Sequence, residues 1–161
     1  MTQSEPLVQD LMKFLDASSV NFLAVREICR RLNEAGFNLL RRADDWNLEP
    51  GGKYYVTQND SAVMAFVAGE SPEAGYHIIS AHSDSPGFRI KPHAEMKCEN
   101  GVVKLNTEVY GGPILYTWFD RPLSIAGRVI VRSDNPLTPR HVIMRIDRPG
   151  LTIPHLARHF N

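Results

Sequence analysis

Two apolar runs limit the fold of this chain more than any other feature. Residues 62–68 (AVMAFVA) and 76–81 (YHIISA) are almost uninterrupted by polar side chains. A strand with one wet face would alternate; a continuous run of this length, bounded by turn residues, suits a strand covered on both faces. Gly69-Glu70-Ser71-Pro72-Glu73 breaks the chain between them. Such strands need helices to cover them, and the preceding residues supply two. Leu7, Leu11, Phe14 and Leu15 fall at i, i+4, i+7 and i+8, with Ser4 as N-cap and Pro6 in the first turn. A second helix is predicted after Ser18-Ser19. Its apolar stripe is Val25, Ile28, Cys29, Leu32 and Ala35, and Arg26, Glu27, Arg30, Arg31 and Glu34 form its solvated face. Gly36 is the stop signal. Helices followed by buried strands predict an α/β layer arrangement.

From Phe88 onward the pattern turns β-rich. Asn100-Gly101 between two strand candidates predicts a type I′ hairpin, because both central residues need φ > 0. Residues 53–58, 123–131 and 141–146 read as further strands, with a turn at Ser133-Asp134-Asn135-Pro136. A last helix is predicted to begin at Pro154 and to be cut off after two turns.

Charge and cysteine usage narrow the function classes. The 18 Lys+Arg balance 18 Asp+Glu, so no electrostatic pull toward nucleic acid or an anionic membrane is expected. No 18-residue apolar stretch predicts a transmembrane helix. The acidic start, MTQSEPLVQDLMKF, does not have the layout of a secretory signal. The two cysteines, Cys29 and Cys98, lie far apart, which suits a reducing compartment rather than a disulfide framework. The expectation is a soluble, cytoplasmic protein.

Three segments carry candidate chemistry. In Ser80-Ala81-His82-Ser83-Asp84-Ser85-Pro86-Gly87, His82 and Asp84 fall at the C-terminal edge of a predicted buried strand, where open α/β sheets collect ligands. Residues i and i+2 of a strand share a side. One nitrogen of His82 can therefore bind a metal while Asp84 accepts the N–H of the other, fixing the tautomer and raising basicity. The tripeptide alone is a weak signal, because a histidine at a strand end is more often a surface or satisfied polar group. A serine triad with Ser80, Ser83 or Ser85 is disfavoured, because no Gly-x-Ser-x-Gly elbow is present. In residues 108–121 (EVYGGPILYTWFDR) a double glycine and four aromatics predict either a pocket or an ordinary aromatic core, and Asp120-Arg121 either an ion pair or a substrate contact. His155 and His159 stand at i, i+4, but the glutamate of a His-Glu-x-x-His zinc motif is absent. His77, His93 and His141 carry no motif.

In combination, SAHSDSPGFRIKP, EVYGGPILYTWFDRPLSIAGRVIV and RPGLTIPHLARH, in this order, resemble the M18 aspartyl aminopeptidase family from the N-terminal helices to the last residue. The resemblance implies a zinc aminopeptidase with two ions per active site, which removes N-terminal Asp or Glu from peptides by metal-activated attack of water. It assigns His82 as a metal ligand and Asp84, among the catalytic residues, as the acid that orients it. It places His155, of the Ile-Pro-His-Leu-Ala segment, near the substrate. It also implies a partial α/β catalytic domain over residues 1–92. The start of an inserted β-rich dimerisation domain follows over 93–161, with dimers assembling into a tetrahedral particle.

Catalytic zinc usually needs about three protein ligands, and one convincing ligand is present. The remaining ligands and the general-base glutamate of the family are expected after residue 161. The chain is thus expected to be the N-terminal part of a larger enzyme, with weak or no zinc binding and no peptide cleavage on its own. The competing readings are a non-catalytic β-rich assembly module derived from the same family and an unrelated ligand-binding α/β domain.

Overall fold

The two N-terminal helices form where the apolar spacing puts them. α1 runs Ser4–Ala17 and α2 Asn21–Glu34. The computed structural model describes residues 4–71, 73, 75–156 and 159. α2 ends on Gly36 as predicted. Gly36 is left-handed (φ 81°), its N–H reaches the Asn33 carbonyl (3.1 Å), and the Phe37 N–H reaches that of Leu32 (2.9 Å). These paired bonds form a Schellman cap, and they satisfy carbonyls the helix cannot serve itself.

The core draws on the start of α2 and on one strand. Leu23, Ala24 and Val25 are buried, as are Tyr54, Tyr55 and Val56. Of the predicted stripe only Val25 is fully buried; Ile28, Cys29 and Leu32 are half-buried and Ala35 is exposed. α2 packs against α1 and three strands, so its first turns are enclosed on more than one side. Three consecutive residues are buried there, which a one-face stripe cannot describe. Both buried tyrosines place their hydroxyls on polar partners. Tyr55 donates to Asn33 Oδ1 (3.0 Å), and the Glu49 N–H donates to Tyr54 (3.0 Å). Desolvation of either hydroxyl is thereby compensated. The apolar stripe of α1 forms but stays open: Leu7, Val8, Leu11, Met12 and Leu15 are each more than half exposed.

The first sheet has three strands. β1 (Asn38–Leu39), too short for the sequence pattern to reveal, runs parallel to β2 (Lys53–Gln58); β2 is antiparallel to β3 (Ala62–Val67). The β2–β3 turn puts Asn59 and Asp60 at positive φ (52° and 56°) and returns the Ser61 N–H to the Gln58 carbonyl (3.0 Å). That is type I′ turn geometry, which Asn and Asp tolerate.

The second apolar run departs from expectation. Residues 76–81 belong to no strand, and Tyr76, Ile78 and Ile79 are 80%, 85% and 99% exposed. An apolar pattern states what a segment is suited to bury against. Pairing also needs a neighbour to take its backbone N–H and C=O groups, and among the described residues no strand does so. β3 is likewise open on part of its surface, with Met64 and Val67 more than half exposed.

The β-rich remainder consists of two hairpins. β4 (Gly87–Lys97) pairs with β5 (Val103–Tyr110), with an irregularity between Ile90 and Glu95 where His93 is left-handed (φ 54°). The Asn-Gly hairpin is present, but its turn is not type I′. Glu99–Gly101 form a 3-10 turn in which Gly101 takes the positive φ (74°), and the Cys98 N–H bonds the Val102 carbonyl (3.0 Å). β6 (Ala126–Val131) pairs with β7 (Arg140–Arg145). Leu123, predicted as part of β6, instead bridges to Leu151. No helix starts at Pro154: residues 154–156 are irregular. Ala157, Arg158 and Phe160 lie outside the described residues.

Two compact units result. One comprises residues up to Asp84 with Ala126–Arg145, the other Ser85–Ile125 with the residues from Ile146. Within the first, Arg128 of β6 donates to the Asn59 carbonyl (2.7 Å) and stacks on Phe22 (4.6 Å), and Arg145 bonds the Asp16 carbonyl. No helix among the described residues is long and apolar enough to cross a membrane.

Candidate functional site

The first unit holds the His82 segment. The Ser83 hydroxyl donates to the Ser61 carbonyl (2.8 Å), so the β2–β3 turn anchors the chain between His82 and Asp84. Ser83 thus holds the segment in place. On either side of it, His82 Nδ1 and Asp84 Oδ1 stand 3.0 Å apart. An ionised carboxylate only accepts, so in the neutral ring Nδ1 carries the hydrogen and the lone pair falls on Nε2. The His82 side chain is 92% exposed, and that lone pair is open to a ligand. The sequence predicted this juxtaposition. Its dependence on an Asn59-Asp60 turn went unread, although two turn-forming residues between two strand patterns were the available signal.

A neutral imidazole with a fixed tautomer suits zinc. Among the described residues, however, no three His, Cys, Asp or Glu side chains form a group able to hold a metal ion. The donor set fits one ligand and its orienting acid. Cys29 and Cys98 are free thiols.

The second unit holds His155. Gly111 (φ 68°) sits where a Cβ would lie 3.4 Å from Pro86, and a Cβ on Gly87 would lie 3.1 Å from the Trp118 ring. Close approach thus explains Gly87, and the left-handed backbone explains Gly111. The aromatics of this segment divide between core and pocket. Trp118 packs edge-on to Phe88 (5.3 Å). Phe119 stacks on the His155 ring (centroids 5.1 Å, planes 11° apart), and Tyr116 meets both rings edge-on. Leu115, Tyr116, Phe119, Pro154, His155 and Leu156 line an open cavity of about 310 Å³. Asp120 turns from its sequence neighbour: its Oδ1 accepts the His155 backbone N–H (3.0 Å), while Arg121 donates to the Thr117 carbonyl (2.9 Å). The role of His155 was read from resemblance; the Asp120 contact was not foreseen.

Comparison with known proteins shows the family. The model of the family described as "Aminopeptidase I zinc metalloprotease (M18)" matches residues 14–161. A "Probable M18 family aminopeptidase 2" of Clostridium novyi (strain NT) is 51% identical over 154 residues, covering 94% of this chain and 36% of its own length. Among solved structures, the chain is similar to one described as a cryo-EM structure of the Ape4 and Nbr1 complex (40% identity, TM-score 0.86). That match covers 95% of this chain and 30% of the other. It is also similar to the mApe1 structure of Chaetomium thermophilum (34% identity, TM-score 0.88, 98% and 36% covered). The chain thus spans about a third of the length of the relatives it matches.

Proposed function

Because the chain belongs to the M18 family of zinc metalloprotease aminopeptidases, we propose that it is the N-terminal part of a zinc aminopeptidase that removes Asp or Glu from peptide N-termini. The observation that carries this reading is the His82–Asp84 hydrogen bond. It orients Nε2 of an exposed imidazole for coordination. In this role His82 holds one of two zinc ions, and Asp84 keeps its tautomer and makes it a stronger donor. Bound zinc supplies Lewis acidity, for water activation and for polarising the scissile carbonyl. His155, held against Phe119 at an open cavity, contacts the substrate.

The remaining ligands belong, in this proposal, to polypeptide that continues the catalytic sheet. The uncovered residues 76–79 support it: that apolar segment is suited to a strand flanked on both sides. Residues 1–92 are then the catalytic part and 93–161 the dimerisation part. Homo-oligomerisation into a tetrahedral particle is supported by the β4–β5 ribbon, which exposes Ile90, Met96, Val103 and Val109. A cytoplasmic location is consistent with the two free thiols.

A chimera joining this chain to the C-terminal remainder of the Clostridium novyi relative tests the reading. It should retain zinc through gel filtration and hydrolyse Asp- and Glu-anilides faster than Leu-anilide, whereas the 161 residues alone should do neither. An oligomeric chimera with no metal and no turnover would leave the assembly-module reading in its place.

A further inference from the structure

Asp120 has a left-handed backbone (φ 52°), a conformation that is uncommon outside glycine but tolerated by Asp. It clamps both sides of Pro154. Its N–H donates to the Ile153 carbonyl (2.9 Å), and its Oδ1 accepts the His155 N–H (3.0 Å). Pro154 adds a fixed φ between those two points. The residue beside Asp120 then sets the imidazole plane, since Phe119 both bridges to Ile153 and stacks on His155. Among the described residues neither ring nitrogen of His155 has a hydrogen-bond partner, so the ring is held by its backbone and its face while both nitrogens stay available.

We propose that Asp120 is a positioning residue, which holds His155 at the substrate cavity through the backbone of residues 153–155. This rests on the substrate role given to His155 above. A group misplaced by about 1 Å costs on the order of 100-fold in rate, so a lost tether should be felt in turnover.

The test uses the chimera and Glu-p-nitroanilide. Asp120→Gly removes the carboxylate without straining the left-handed backbone, and Asp120→Asn keeps an oxygen acceptor. Asp120→Gly should lower kcat/KM by about 10-fold or more, and Asp120→Asn should restore it to within about threefold. In a His155→Ala background Asp120→Gly should cost nothing further, because the two act as one unit. In the histidine-labelled 161-residue chain, the His155 ring protons should show an upfield ring-current shift that Asp120→Gly removes and Asp120→Asn retains. The proposal is overturned by an undiminished Asp120→Gly penalty without His155, by an Asn variant as poor as the Gly variant, or by an Asp120→Gly protein that does not fold. An inactive parent chimera, or a His155→Ala chimera of full activity, would sink the substrate role instead. The ring-proton shift then decides the clamp alone.

Discussion

Two histidines in this chain each have an aspartate partner, and the partners attach at different places. Asp84 takes the ring nitrogen of His82; Asp120 takes the backbone N–H of His155. The first attachment fixes a tautomer and leaves one lone pair facing out, which is what a metal ligand needs. The second fixes where the residue sits and leaves its ring nitrogens without a partner among the described residues, which suits hydrogen bonding to a substrate. The supports differ as well. His82 follows an apolar segment that no strand among the described residues flanks, and the Ser83 hydroxyl anchors it locally. His155 rests on an aromatic face with Tyr116 closing the edge.

The largest effect should come from His82. In the chimera, His82→Ala should abolish retention of zinc at that position and lower turnover of Glu-p-nitroanilide by about 10³-fold, the scale on which loss of Lewis-acid stabilisation is felt. Metal analysis beside the rate assay checks it; unchanged zinc content would remove His82 from the metal site. Asp84→Ala should cost less, about 10- to 100-fold in zinc affinity, as removal of an orienting acid does. Competition with a chelator measures it. An Asp84→Ala penalty equal to that of His82→Ala would make Asp84 itself a ligand and end the contrast drawn between the two aspartates.

Local chemistry was legible in the sequence and partnership was not. Pro6, Gly36 and the 3.6-residue apolar spacing mark α1 and α2 because caps and periodicity are properties of a few adjacent residues. The runs 53–58 and 62–67 became strands because a turn of two residues at positive φ folds one onto the other. Residues 76–81 carry an equally strong apolar pattern and form no strand, since the pattern does not specify which backbone lies alongside. β1 was missed for the converse reason: two residues gain strand geometry only from β2. The His82–Asp84 contact was legible because the two residues are only two apart, although the strand expected to carry them does not form. Asp120 with His155 spans 35 residues, and no spacing rule reaches that far.

The smallest effect separates the site from the scaffold that carries it. Glu27 is gripped by Arg30 (2.6 Å) and Arg31 (2.8 Å), and Arg31 also reaches Asp10 across to α1 (2.7 Å). The hydrogen bonds from Arg30 and Arg31 hold the Glu27 carboxyl down at about 2, below its usual 4.5. A depressed carboxylate contributes stability in full above the unfolded value and loses it as pH falls through the folded one. The helix pair should therefore weaken only between about pH 4.5 and 2, and only slightly, because solvent screens these pairs. Protons compete with metal for an imidazole well before that. Acid titration of the chimera should release zinc while the helical circular dichroism stays flat, with the helix signal falling only at the lower pH. Glu27→Gln should flatten that last slope and leave zinc release where it was. If zinc and helix were lost together, His82 would be held by the global fold and not by its own carboxylate, and the distinction between ring tether and backbone tether would fail.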